Sequence, residues 1–308
     1  MSRMPLLFAF PGQGVQYEGM LRAMLERTPE SRVVFDEVGA ALEKDVLGLD
    51  TAEALEDSEA VQICLLTAGV ASSRLLESRG IVPAMTAGLS IGAFGAAVAA
   101  GVLDLGDAAR LVAKRGRLMQ DAYPSGYGMM AVGGLTEYEV ADAVEDMEGL
   151  YVANVNAERQ IVLSGAWEVL ERAAALLVTR GATFAKKLRI SVPSHCSLLQ
   201  EASDQFAEVM GDVVFHRPRV PYLSGSNARV LWDPARIADD LLRNMMRPTH
   251  WADAVRAAHE RGIRFMVEML PGKVMTGLSA SVFEDASALE EYGPDRLAAR
   301  LGHLARYD

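Results

Sequence analysis

The sequence predicts an α/β protein in which a large domain, split in the chain, carries a small βαββαβ unit between its halves. Three observations predict it. A short apolar run at residues 6–10 ends at Pro11-Gly12-Gln13-Gly14. A second run, residues 83–87, turns through Gly88-Leu89-Ser90-Ile91-Gly92 into a stretch of small apolar residues. Between about residues 128 and 190 the patterning alternates in the order strand, helix, strand, strand, helix, strand.

Residues 6–10, apolar throughout and stopped by a Pro-Gly pair, read as a buried strand entering a tight loop. Residues 61–76 carry a helical apolar pattern, and residues 83–87 form a brief strand leading into the Ser90 turn. The small apolar residues 93–102 suit a helix buried on most sides. In residues 107–122, Ala108, Leu111, Val112, Leu118, Met119 and Ala122 recur at helical spacing. The middle of the chain gives strand 129–132, helix 137–146, strands 151–155 and 161–163, helix 167–179 and strand 184–192. That order is ferredoxin-like. Past Pro193 the mixed character resumes, with helices at 198–210, 237–246 and 252–261 and a strand at 264–268. The expected domains are 1–126 together with 194–308, and an inserted subdomain at 127–193.

Half of the 308 residues are hydrophobic and 23% are charged, the profile of a globular enzyme. A formal net charge of -11 argues against nucleic acid as a partner, since phosphate binding needs lysine and arginine. Cys64 and Cys196 are too few for a disulfide framework or a zinc site, which fits a cytoplasmic protein with no metal. No segment reads as the roughly 20 apolar residues that cross a bilayer, so no membrane role is expected.

The pattern G-x-S-x-G around Ser90 places a hydroxyl at the head of a helix, whose first N–H groups can hold an oxyanion. The alternative is a serine in a glycine-rich turn. A serine nucleophile needs a base. Of the five histidines, His195 in Ser191-Val192-Pro193-Ser194-His195-Cys196 is best placed, where the chain re-enters the large domain and a cleft is expected. A hydrogen-bonded structural histidine is the competing reading. Arg115 falls inside the apolar stripe of residues 107–122, whereas Lys114 and Arg117 fall off it. A buried arginine must be paired, with a structural Asp or Glu or with a substrate carboxylate gripped by its fork. Asn154, Asn156 and Gln160 are turn amides or lining of the cleft.

Together these segments resemble the malonyl-CoA:acyl carrier protein transacylase family over about residues 6–278. The resemblance rests on Pro11-Gly12-Gln13-Gly14-Val15-Gln16, Ser90, Arg115-Gly116, residues 154–165, Val192-Pro193-Ser194-His195-Cys196 and Pro271-Gly272-Lys273-Val274-Met275-Thr276-Gly277-Leu278, all in register. Within the family, Ala122-Tyr123-Pro124, Pro221-Tyr222-Leu223-Ser224-Gly225 and Ile237-Ala238-Asp239-Asp240-Leu241 look closest to the transacylase subunit of bacterial malonate decarboxylase.

The resemblance implies a large α/β-hydrolase-like domain and an acyl-enzyme on Ser90, with His195 as base. It implies an oxyanion hole from the N–H groups of Gln13 and Ile91, and Arg115 as carboxylate binder. Leu89, Asn154, Asn156 and His250 are the further expected substrate contacts. The implied partners are malonyl-CoA, an acyl carrier protein and, in a malonate decarboxylase system, its other subunits. An acidic carrier would need a local basic patch, for which Lys186, Lys187 and Arg189 are candidates, with a solvated strand edge as the competing reading. No cofactor is implied.

The sequence departs from the family pattern at four places. Leu89 and Ala93 replace a histidine and a glutamate around the nucleophile, which makes the wall beside Ser90 more apolar. Leu270 replaces a glycine, and His250 stands where a glutamine is common and its backbone carbonyl orients the catalytic histidine. Two rivals remain. An α/β-hydrolase esterase or thioesterase shares the elbow but needs an acid between serine and histidine and lacks the inserted unit. A non-catalytic acyl-binding subunit is suggested by Leu89 and Ala93.

Overall fold

The computed structural model describes residues 4–304. Among them ten strands, β1 (Leu6–Phe10), β2 (Met85–Gly88), β3 (Tyr127–Gly133), β4 (Leu150–Ala157), β5 (Gln160–Ala166), β6 (Phe184–Lys187), β7 (Tyr222–Leu223), β8 (Val230–Leu231), β9 (Phe265–Glu268) and β10 (Asp285–Ala288), form two sheets in a mixed α/β chain.

The larger sheet has the order β10-β9-β1-β2-β7-β8 and is parallel except for the β7–β8 edge. Parallel strands covered by helices on both faces are apolar throughout rather than alternating. All five residues of β1 are accordingly buried. Leu6, Phe8 and Phe10 face the cluster that includes residues from the helices Ser58–Ser78, Gly92–Ala99 and Leu105–Ala122. Leu7 and Ala9 face the opposite cluster, with Trp251, Val255 and Met275.

The helix Ser58–Ser78 corrects one expectation. At 21 residues, with mean hydropathy 1.2 in its most apolar window, it is long and apolar enough to cross a bilayer, yet 89% of that window is buried inside the protein. Asp57 caps it, accepting from the N–H groups of Glu59 and Ala60. Its lack of a polar face reflects a core position, packed on Leu105–Ala122 and Gly92–Ala99.

The smaller sheet has the order β4-β5-β3-β6, antiparallel throughout, with its elements in the chain order βαββαβ. The helices Glu137–Val144 and Trp167–Thr179 bury Val140, Leu170 and Leu177 against Val132 and Leu163. A Thr136/Glu139 capping box starts the first helix. Met129, Ala131, Ala153 and Val162 form a separate cluster, and three of them, Met129, Ala131 and Val162, line the cleft between the sheets. The last strand is shorter than the expected 184–192. After Lys187 one more ladder bond forms, Leu188 N–H to Met129 O, and the chain then leaves the sheet, carrying Leu188 and Ile190 into the cleft.

Strand β4 carries two register shifts, between Val152 and Asn154 and between Val155 and Ala157. Bulges re-aim side chains and bend an edge. Here the edge meets a loop of the larger unit: Val155 N–H donates to Thr249 O at 2.8 Å and Thr249 N–H to Ala153 O at 2.9 Å.

Candidate active site

Ser90 sits at the junction of β2 and the helix Gly92–Ala99, 9% exposed, with a left-handed φ of 54°. The strain is therefore on the serine itself. The flanking glycines are needed for space. A Cβ on Gly88 would lie 2.1 Å from the Gly92 carbonyl carbon, and one on Gly92 2.1 Å from Phe10 O. The first loop and the elbow are thus pressed together, and Leu89 N–H donates to Phe10 O at 2.9 Å. In that loop Gly14 takes φ 106° and donates its N–H to Gln16 Oε1 at 2.7 Å. Among the described residues, no protein acceptor is recorded for the N–H groups of Gln13 or Ile91. They are available donors at the two ends of this contact.

His195 is 2% exposed and also left-handed, at φ 63°. Its backbone N–H donates to Met245 O at 2.7 Å, and Nδ1 lies 2.8 Å from Asn244 O and 3.2 Å from Arg247 O. Both partners are carbonyl acceptors, so Nδ1 carries the proton and Nε2 presents a lone pair. Burial, reinforced by the positive charge of Arg115, lowers the imidazole pKa to about 4 against the pull of those carbonyls. The ring is neutral at physiological pH.

Arg115 is fully buried. Nη1 donates to Gln62 Oε1 at 2.8 Å, and Nη2 to Asn244 Oδ1 at 3.1 Å and Ser90 Oγ at 3.2 Å. Its guanidinium carbon lies 5.9 Å from the Phe94 ring centroid. Every one of these partners is neutral, and Nε has none. Burial lowers the guanidinium pKa to about 9. Two residues along the same helix, Arg117 is exposed and bonds Glu59 at 2.7 Å. Of the two partners expected for a buried arginine, the structural Asp or Glu is therefore absent among the described residues.

The cleft between the sheets brings together Gln13, Leu89, Ser90, Asn154, Asn156 and His195. Asn154 and Asn156 are 6% and 8% exposed, and neither Oδ1 has a hydrogen-bond partner. Ile91 is buried behind the elbow at 1% exposure, so only its backbone bears on the site. Ala93 is buried at 1% exposure. Leu270 packs against the main core.

His250 is the expectation that fails. It lies outside the lining of this cleft. Its carbonyl starts the helix Trp251–Glu260 by accepting from Ala254 N–H at 2.9 Å, and its own N–H donates to Gly225 O at 2.7 Å. The carbonyls that hold His195 come from Asn244 and Arg247. Sequence reasoning missed Asn244 and also Gln62. A signal for Gln62 was present, since it is the one amide in the otherwise small or apolar stretch at 60–66. Two segments read as subfamily signatures have a structural role: Tyr222 Oη and Ser224 Oγ donate to the buried Asp240 carboxylate at 2.9 and 2.5 Å.

The chain matches the family model for the acyl transferase domain over residues 7–293. A malonyl CoA-acyl carrier protein transacylase of Salmonella typhimurium is 40% identical over 304 residues, covering 96% of this chain and 98% of that protein. The crystal structure of FabD from Acinetobacter baumannii covers 100% of both chains with a TM-score of 0.93 and 31% identity. A malonyl-transacylase solved in complex with a type II PKS acyl-carrier protein aligns with a TM-score of 0.87 and 34% identity, over 93% of this chain and 95% of its own. The chain belongs to the malonyl CoA-acyl carrier protein transacylase family of acyl transferases.

Proposed function

We propose that this chain is a malonyl-CoA:acyl carrier protein transacylase working through an acyl-enzyme on Ser90. One observation carries the reading: a fully buried guanidinium without a carboxylate partner among the described residues donates to the hydroxyl that would carry the acyl group. A buried charge held only by neutral acceptors is costly until a counter-ion arrives. The free carboxylate of a malonyl group supplies that counter-ion, and an acetyl group does not. Nε and the Nη2 hydrogen facing Ser90 are the donors it would use.

His195 Nε2 takes the Ser90 proton as Oγ attacks the thioester carbonyl, while Asn244 O and Arg247 O steady the imidazolium through Nδ1–H. The oxyanion is held by the N–H groups of Gln13 and Ile91, which explains why two glycine-forced loops meet at this point. The C–S bond breaks, and CoA departs with the proton from Nε2. A carrier-protein thiol then gives its proton to Nε2, attacks the ester and regenerates Ser90. Asn154, Asn156 and Leu89 line the approach.

The same reading treats residues 1–126 and 194–308 as an α/β-hydrolase-like domain, and 127–193 as a ferredoxin-like insertion. Support comes from the strand orders of the two sheets. The acidic carrier would meet the exposed Lys186 and Arg189 beside the cleft. Lys187 is already engaged by Glu171 at 3.1 Å and by the Trp167 ring. Two buried, unbridged cysteines suit the cytoplasm.

Intact-mass spectrometry after brief incubation with malonyl-CoA tests the reading. A gain of one malonyl group on the native chain, absent from Ser90→Ala and weak with acetyl-CoA, is the expected result. Release of free CoA without an adduct would instead indicate hydrolysis, and neither product would favour a non-catalytic subunit.

A further inference from the structure

The carbonyl that fixes His195 and the amide that fixes Arg115 belong to one residue. Asn244 is 1% exposed and opens the single-turn helix Asn244–Met246 that follows Pro234–Arg243. Its backbone oxygen lies 2.8 Å from His195 Nδ1, and its side-chain Oδ1 accepts from Arg115 Nη2 at 3.1 Å. The next residues continue the same job. Met245 O holds the His195 backbone, Arg247 O is the second carbonyl at Nδ1, and Thr249 is bonded to β4 on either side of Asn154.

The chemistry of the side chain matters as much as its place. Gln62 at Nη1 and Asn244 at Nη2 are both neutral amides, and together they fix the plane of the guanidinium. An amide oxygen orients a cation without cancelling its charge, whereas a carboxylate at the same position would form a buried ion pair. The positive charge is thereby kept for a ligand. We propose that Asn244 is a positioning residue that sets base and anchor together, and that its neutrality maintains the preference for acyl donors bearing a free carboxylate. The proposal rests on Arg115 being the carboxylate anchor, as argued above.

The two functions of Asn244 separate by mutation, because a side-chain change leaves the carbonyl at His195 in place. Steady-state kinetics with malonyl-CoA and acetyl-CoA should be run on Asn244→Asp, Asn244→Ala and Arg115→Ala. Asn244→Asp should lower the malonyl-to-acetyl ratio of kcat/KM by at least about tenfold, since its carboxylate competes for the guanidinium. Asn244→Ala, which keeps the fold if the aspartate does not, should raise KM for malonyl-CoA several-fold more than KM for acetyl-CoA, lowering the same ratio. Equal losses on both donors, or an unchanged ratio in either folded variant while Arg115→Ala collapses it, would overturn the role of Asn244 and leave the anchor standing. An unchanged ratio in Arg115→Ala would remove the anchor itself, and the proposal with it.

Discussion

The two walls of the cleft are built on opposite principles. The wall from the larger unit is fixed by backbone. Gly88 and Gly92 have no room for a methyl group, Gly14 is left-handed, and Ser90 and His195 are themselves held in left-handed conformations. The wall from the smaller sheet includes an edge strand with two register shifts, whose two asparagines present unpartnered oxygens beside Met129, Ala131 and Val162. One wall spends its sequence on holding reacting atoms in one place, which bond making requires. The other offers polar side chains with oxygens left free for a ligand, which suits the substrate arm of the proposed reaction.

The sharpest way to break this contrast is Gly92→Ala. Its Cβ would lie 2.1 Å from Phe10 O and 2.7 Å from Pro11 O, both backbone atoms that cannot swing aside. Loss of about 3 kcal/mol or more is expected, read as a large fall in the thermal midpoint or failure to recover soluble protein. A stable, active Gly92→Ala protein would mean the two loops are not pressed together as described.

Arg115→Ala comes next. Loss of a charge-assisted anchor in a buried site should reduce malonyl transfer about 10² to 10³-fold while leaving more of the acetyl rate. It also carries a pH signature. His195 is held down to about 4 first by burial and then by the Arg115 charge. Acylation requires the neutral ring, so the native rate should be lost only as pH falls through about 4. Removing the neighbouring cation favours the imidazolium, so the acid limb should move to higher pH in the variant. Single-turnover acylation with acetyl-CoA across pH 3.5–7 measures it, and an unmoved limb would show that burial alone sets the shift.

The same division decided what could be read from sequence. Leu6–Phe10 and the Ser90 turn were legible because a parallel strand must be apolar throughout and a crowded elbow must be glycine. The inserted unit was legible because its helices have one clear apolar face. Arg115 announced itself as a charge inside an apolar stripe. The strands Tyr222–Leu223 and Val230–Leu231, with two residues each, are too short for any periodicity to register. The helix Leu289–Leu304 is interrupted by Gly293 and Pro294, residues that ordinarily end a helix rather than lie within one. Asn244 was hidden because one of its two contacts is a backbone carbonyl, which any residue possesses. His250 was misread for the same reason: a carbonyl role has no side-chain signature, and the chain uses the one six residues earlier.

The smallest expected effect falls on the other wall and sharpens the comparison from that side. Asn154→Ala and Asn156→Ala each remove a buried oxygen that has no partner in the protein. Deleting an unsatisfied polar atom recovers its desolvation cost, so stability should change by no more than about 1 kcal/mol in either direction. If these amides hold the arm shared by malonyl-CoA, acetyl-CoA and the carrier, KM should rise roughly three- to tenfold for all of them, with the malonyl-to-acetyl ratio preserved. That pattern is the inverse of the Arg115 result, in which the ratio collapses. A shift in the ratio would place the asparagines at the acyl group rather than along the arm. A large loss of stability would mean that the bulged strand, like the elbow, is fixed by its own packing.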